Sequence, residues 1–343
     1  MDLIVSTPVG LYCPPGDFYI DPWRPVTRAV ITHAHADHAR FGNGVYFCHT
    51  LTAPILRRRL GDVVCETVDY GASTMRNGVA VSLHPAGHIP GSAQVRVACA
   101  GEVWVISGDY KIEPDGASTP FEPVPCHAFI SESTFGLPIY RWPDAADIGV
   151  EINRWWAQNA DAGRASVIFA YALGKAQRIL RLVDPAIGPI FCHGAIEPIN
   201  EICRAAGIAL PSVSPVAGAD KTSFARALII APPSAAGGSW LRRFGLYSDA
   251  FASGWMQVRG NRRRRGVDRG FVLSDHADWT GLLTAISATG ASRIFLTHGF
   301  VQPLTRYLCE RGFDARPMST EYGDDGQDEI TGAEANSTEQ APS

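Results

Sequence analysis

Short apolar runs that stop at a metal-binding or proton-handling side chain are the feature that most limits how this chain can fold. "RAVI" leads into "THAHADHA", which carries His33, His35, Asp37 and His38 within six positions. His88 closes a second run in "VSLHPAGH", Asp109 a third in "WVISGD", Glu132 a fourth in "AFISE" and His298 a fifth in "IFLTH". β-branched or alternating apolar stretches bounded by Gly, Pro or Asn read as strands. Polar side chains at strand ends meet on a sheet edge, where a rigid scaffold can assemble a site. The chain is therefore expected to be built on sheets.

The pattern changes along the chain. In "DAADIGVEINRWWAQNADAG" the apolar residues Ile148, Ile152, Trp155 and Trp156 have helical spacing. The strand "ASVIFAYA", the helix "GKAQRILRLVD", the strand "PIFCHG", the helix "IEPINEICRAAG" and the strand "RALIIAPP" follow. Alternating strand and helix predicts a parallel βαβ sheet. The strand-and-turn style returns with "GFVLS", the helix "TGLLTAISATG" and the strand "RIFLTH". The expected organisation is one α/β domain over 1–136 and 267–322, interrupted by a second α/β block over 137–266. The run "NRRRRG", with Arg262–Arg265, closes that block. It reads as a solvated basic loop or as a contact to a phosphate backbone.

Composition narrows the class of protein. No apolar run among the 343 residues reaches the roughly 18–20 that a membrane span needs, and "MDLIVSTPVG" lacks the basic and apolar regions of a signal peptide. A cytoplasmic protein with no membrane partner is expected. Eight scattered cysteines without a C-x-x-C pair read as free thiols rather than as a zinc knuckle or disulfide framework. The net charge of −4 argues against a polyanionic partner only until its position is considered. Residues 323–343 hold six of the 34 acids and no base, leaving 28 acids against 30 bases elsewhere. This polar tail is expected to be disordered.

The cluster's chemistry points to metal. In an H-x-H loop His33 and His35 face one way. Asp37 and His38, past the turn, can serve a neighbouring position, so one stretch can offer two ligands to each of two ions. Such a pair also needs a bridging carboxylate and further ligands, for which Asp109, His88 and His298 are the candidates. His49, His84, His127 and His193 read as structural or surface residues, and His193, at a strand end, could also approach a substrate. Lys111, two residues beyond Asp109, is a candidate phosphate contact, and Ser133 and Lys175 are further candidate substrate contacts.

"THAHADHA" resembles the signature of the metallo-β-lactamase superfamily. The resemblance implies an αββα sandwich with metals at the sheet edge and a compact inserted β-CASP α/β domain. "ISESTFG", "IFAYALGKAQRIL", "LSDHADWTGL" and "LTHGF" are similar to the motifs of the β-CASP nucleases, and "FISESTFGLPIYRW" is similar to the bacterial ligase-associated DNA damage response exonucleases. The resemblance implies His33, His35 and His88 on one metal, Asp37, His38 and His298 on the other, Asp109 bridging and Asp21 supporting the site. It makes Asp37 part of the catalytic set, His276 the general acid or an orienting group for the scissile phosphate, and Glu132 its partner. The implied cofactors are two divalent ions, zinc or manganese. The implied function is a DNA exonuclease of repair, with a DNA ligase and helicase as partners. His298 pulls toward RNA, because a histidine at the last motif is usual in RNA-processing members. An RNA 3′-end-processing endonuclease or 5′ exoribonuclease is thus one alternative, and a small-molecule metallohydrolase is another.

Overall fold

Alternating burial along short strands builds the sheets of this protein. The computed structural model describes residues 2–321; the acidic tail 323–343 lies outside the described residues. Contacts divide the chain into two units. The first comprises the chain up to Pro114, Ser118–Arg141 and the chain from His276 onward, and the second comprises Asp115–Ala117 and Trp142–Asp275.

The first unit has a six-stranded sheet in the order Val5–Ser6, Leu11–Cys13, Phe18–Ile20, Arg28–Val30, Val45–His49 and Cys65–Val68. Its seven-stranded sheet runs Asp314–Pro317, Arg293–Gly299, Ala128–Ser133, Glu102–Ile106, Ala93–Cys99, Val79–Pro85 and Ser73–Arg76. Successive strand residues point to opposite faces. Accordingly Trp104, Ile106 and Ile130 bury against Phe18, Ile20, Val30 and Phe47 of the other sheet. Val105 and Phe129 face the opposite way, onto Leu282, Ala285, Ile286, Leu304 and Leu308 of helices Trp279–Ala288 and Val301–Glu310. Asp278 starts the former helix by accepting a hydrogen bond from Gly281 N at 2.7 Å.

This topology places the chemistry. Glu102–Ile106, Ala128–Ser133 and Arg293–Gly299 are mutually parallel. Val79–Pro85 runs the same way, since two antiparallel pairings separate it from Glu102–Ile106. All four strands therefore end at one sheet edge, which carries His88, Asp109, Glu132 and His298.

The second unit has an all-parallel six-stranded sheet in the order Ser214–Pro215, Ile190–Cys192, Leu228–Ala231, Ala165–Phe169, Tyr247–Ala252 and Arg269–Phe271. Ala165–Phe169 and Leu228–Ala231 are buried at every residue, as strands covered on both faces must be. Helix Ala145–Asp161 is capped by Asp144 and buries Ile148, Ile152, Trp155 and Trp156. Trp156 is fully buried and donates from Nε1 to Arg226 O at 3.0 Å. Trp156→Ala is expected to cost about 3–5 kcal/mol, read as a lower midpoint of the second unit's unfolding in urea; an unchanged curve would contradict its place in the core.

Two local readings change. "GFVLS" does not return to the first unit: Arg269–Phe271 pairs with Tyr247–Ala252, and Phe271 and Leu273 join the second core. The changeover falls between Asp275 and His276, not at 266/267, and the earlier one between Arg141 and Trp142, not at 136/137. The basic run is not a loop but part of helix Arg259–Arg265, closed by Gly266 at a φ of 64°. All eight cysteines are free thiols. No helix among the described residues is long and apolar enough to cross a membrane.

Candidate metal centre at the sheet edge

The backbone sets the histidine loop before its side chains do. Ile31 N bonds to Phe47 O at 2.8 Å, ending the strand Arg28–Val30 against its neighbour. Thr32 then donates from N to Asp21 Oδ1 at 2.8 Å and from Oγ1 to Asp21 Oδ2 at 2.5 Å. Arg59 Nη1 holds the loop's outer side, donating to Ala34 O at 2.5 Å. Asp21 and His298 both have left-handed backbones, with φ of 42° and 52°. Non-glycine residues adopt that region only where surroundings enforce it, and such strain gathers at functional sites.

Within this frame the donor atoms converge. His35 Nδ1 lies 3.2 Å from His33 Nε2 and 3.1 Å from His88 Nε2. Asp109 Oδ2 lies 3.5 Å from His33 Nε2 and 3.7 Å from His88 Nε2. The same oxygen is 3.4 Å from His38 Nε2, which is itself 3.5 Å from Asp37 Oδ2. A tetrahedral ion with ligands at zinc–nitrogen distance separates its donors by about 3.3 Å. The donors thus have the spacing of a coordination shell, and the His/Asp cluster suits divalent metal. One group is His33, His35, His88 and Asp109; a second is His33, Asp37 and His38. His298 stacks on His38 at 5.6 Å between ring centroids, beside the second group.

The surrounding groups aim these ligands. Asp21 Oδ2 accepts from His38 Nδ1 at 2.7 Å, turning Nε2 toward Asp37 and Asp109. Such carboxylate–histidine pairs fix the tautomer and orientation of a ligand. Thr32 Oγ1 meets His33 Nδ1 at 3.0 Å and does the same for that ring. Asp21→Ala is expected to weaken metal affinity about 10–100-fold, measured by competition with a chromophoric chelator. Unchanged affinity would show that Asp21 does not support the site.

Charge follows geometry. Burial opposes ionisation of Asp109, but His38, His276 and His33 outweigh it and hold the carboxyl well below its usual range. Burial, then His38, drives His33 well below the usual imidazole value, toward the neutral form that binds metal. Burial also opposes charge on His38, yet Asp109, Asp37 and Asp21 prevail and raise it.

A second pair adjoins the cluster. Glu132 is buried and accepts from Tyr110 N on Oε1 at 2.7 Å, while its Oε2 meets His276 Nδ1 at 2.8 Å. The ring centroids of His276 and His88 are 4.7 Å apart. Burial pushes the Glu132 carboxyl up, His276 pulls it back and Asp109 adds to the rise. Asp109, Glu132 and His276 also form a group close enough to share an ion.

The other sequence candidates are placed differently. Ser133 is buried, and its hydroxyl donates to Thr297 O and His298 O, so it secures the strand end that bears His298 rather than facing a substrate. Lys111 is buried with Nζ 2.8 Å from Glu113 O and 3.0 Å from Glu113 Oε2. Lys175 is buried in the second unit, 3.5 Å from Asp275 Oδ2 and over the Tyr171 ring. His193, also in that unit, is partly exposed and meets Trp240 edge-on at 5.3 Å.

Sequence reasoning missed Thr32 and Ser92, and noted the glycines beside the candidate ligands without their packing role. Ser92 Oγ accepts from His88 N and Ile89 N at 3.1 and 3.2 Å, closing the His88 loop. A Cβ at Gly87 would fall 2.1 Å from Lys111 O, and one at Gly299 would fall 2.4 Å from Thr134 Cα.

Comparison with known proteins supplies relatives. No family model matches the chain. A probable DNA ligase of Opitutus terrae is 30% identical over 324 residues, 94% of this chain and 31% of that protein. Endoribonuclease YSH1 of Eremothecium gossypii is 30% identical over 121 residues, 35% of this chain and 15% of that protein. Cleavage and polyadenylation specificity factor subunit 3 of Dictyostelium discoideum is 29% identical over 123 residues, 35% of this chain and 15% of that protein. The chain thus spans less than a third of the length of each. A protein of unknown function from Enterococcus faecalis V583 has a similar fold, with a TM-score of 0.56, 13% identity, and coverage of 86% of this chain and 80% of that one. With its histidine loop and sheet-edge candidate ligands, the chain is similar to nucleases of the metallo-β-lactamase superfamily. Within that superfamily the likeness is to the β-CASP nuclease group.

Proposed function

We propose that this chain is a two-metal phosphodiesterase that acts as a DNA exonuclease in repair, working with an ATP-dependent DNA ligase system. On this reading the first unit is the αββα metallo-β-lactamase domain and the second is its β-CASP insert. His33, His35 and His88 would hold one ion, Asp37, His38 and His298 the other, with Asp109 shared and zinc the natural occupant. When bound, such ions neutralise phosphate charge and let water ionise near neutral pH. The chain's own residues supply the rest. Asp21 and Thr32 hold the imidazoles in their binding orientation. Glu132 engages His276 Nδ1, which leaves Nε2 to place a proton on the leaving oxygen.

The observation that carries the reading is the single oxygen, Asp109 Oδ2, lying 3.4–3.7 Å from nitrogens of His38, His33 and His88. DNA is favoured because 94% of this chain aligns within a relative named as a DNA ligase. Two observations favour a second reading, an RNA-processing nuclease: His298 lies beside the second ligand group, and several relatives are named endoribonucleases. A small-molecule metallohydrolase has no evident use for a second unit that includes residues 142–275.

The test incubates the protein and Zn or Mn with end-labelled DNA and RNA of matched sequence, single- and double-stranded. Mononucleotides released from DNA are the expected product. Release from RNA alone overturns the DNA assignment, and hydrolysis of a lactone or thioester with neither nucleic acid cut overturns the nuclease assignment.

A further inference from the structure

Helix Arg259–Arg265 in the second unit carries five arginines in seven residues and no acid. The helix is fastened at two points. Asn261 is buried and donates from Nδ2 to Trp255 O at 3.1 Å, and the Arg265 guanidinium lies 4.4 Å from the Phe251 ring centroid. That anchoring leaves Arg259, Arg263 and Arg264 exposed. Arg259 and Arg263 stand one turn apart, so they share a face.

Among the described residues, no ion pair balances this charge: none of the three has one, whereas Arg269 pairs with Glu151 and Arg204 with Glu197. The nearest acids in sequence are engaged with each other's strands. Asp268 accepts from Ser248 Oγ at 2.8 Å, and Asp249 accepts from Asp268 N at 2.9 Å. The helix macrodipole favours cations at the C-terminus, which helps Arg263 and Arg264. It disfavours Arg259, the first helical residue, and like charges one turn apart repel. The helix therefore keeps its exposed charge against its own folding preference. The exposed positions offer no apolar side chain for a membrane surface, and arginine suits phosphate oxygens in particular.

We propose that Arg259, Arg263 and Arg264 form a docking surface for the phosphate backbone of DNA, separate from the metal-binding residues. This inference rests on the nuclease reading above. The contacts are to phosphates, so they raise affinity without reading sequence.

The test is fluorescence anisotropy of a fluorescein-labelled single-stranded 30-mer DNA with the full chain, across a salt series. Three lost phosphate contacts should lower the log Kd against log salt slope by about 2. The variant R259A/R263A/R264A should also bind more weakly by about tenfold or more in low salt. Its hydrolysis of bis-p-nitrophenyl phosphate should be unchanged, because that diester is too small to need the docking surface. The conservative R259K/R263K/R264K variant should restore most of the slope. An equal slope and Kd in wild type and alanine variant would overturn the inference, as would a loss confined to binding an acidic peptide of sequence 323–343. Wild-type protein that neither binds nor cuts DNA or RNA would instead remove the nuclease reading itself.

Discussion

Asp109→Asn is expected to abolish cleavage, with kcat/KM falling by about a thousandfold or more and bound metal dropping from two ions per chain to one or fewer. The reason is the sharing of one oxygen. Asp109 Oδ2 faces His33 and His88 on one side and His38 on the other. Asparagine keeps the volume but removes the charge and replaces an oxygen with a donor amide. On the two-metal reading a neutral group cannot offset two divalent charges, so both halves of the site weaken together. Elemental analysis of the purified variant and a single-turnover assay on labelled DNA measure the two effects. A variant that keeps both ions and most of its rate would show that Asp109 does not bridge.

His276→Ala is expected to do the reverse with metal. Bound metal should stay as in wild type while turnover falls about 10²–10⁴-fold, the range for removing a general acid. His276 meets Glu132 through Nδ1, and Glu132 is held by Tyr110 N. The imidazole is therefore oriented whether or not substrate is present. Glu132→Gln should slow turnover less, because the amide can still engage Nδ1 but no longer favours the charged ring. The competing outcome is specific: Asp109, Glu132 and His276 also stand close enough to hold an ion. Metal lost from His276→Ala would make His276 a ligand rather than a proton donor.

The sequence carried much of the candidate site because its candidate ligands sit at predictable places. A histidine that follows an apolar strand announces both its type and its position at a sheet edge. His88, Asp109 and His298 were legible for that reason, although they lie far apart in the chain. The partners of those ligands were less visible. Thr32 is an unremarkable residue before His33, yet its hydroxyl orients that ring and meets Asp21. Ser133 reads as part of an acidic motif near a substrate, but burial commits its hydroxyl to two backbone carbonyls. The basic run reads as a loop because arginine repulsion opposes a helix. Asn261, Arg265 and the Gly266 cap supply the missing stabilisation.

By itself the sequence determined which residues could bind metal, that they end strands, and that a strand-rich beginning gives way to alternating strand and helix. Those are local properties, written in side-chain chemistry and spacing. Only the tertiary structure decided the partnerships. Thr32 meets Asp21 across 11 residues, and Ser133 meets Thr297 across 164. It also decided that Arg269–Phe271 pairs in the second unit's sheet. A hydrophobic period says which face of a strand is buried, but not which strand lies beside it. Pairing is settled by burial summed over residues far apart in the chain, and no local window contains that sum.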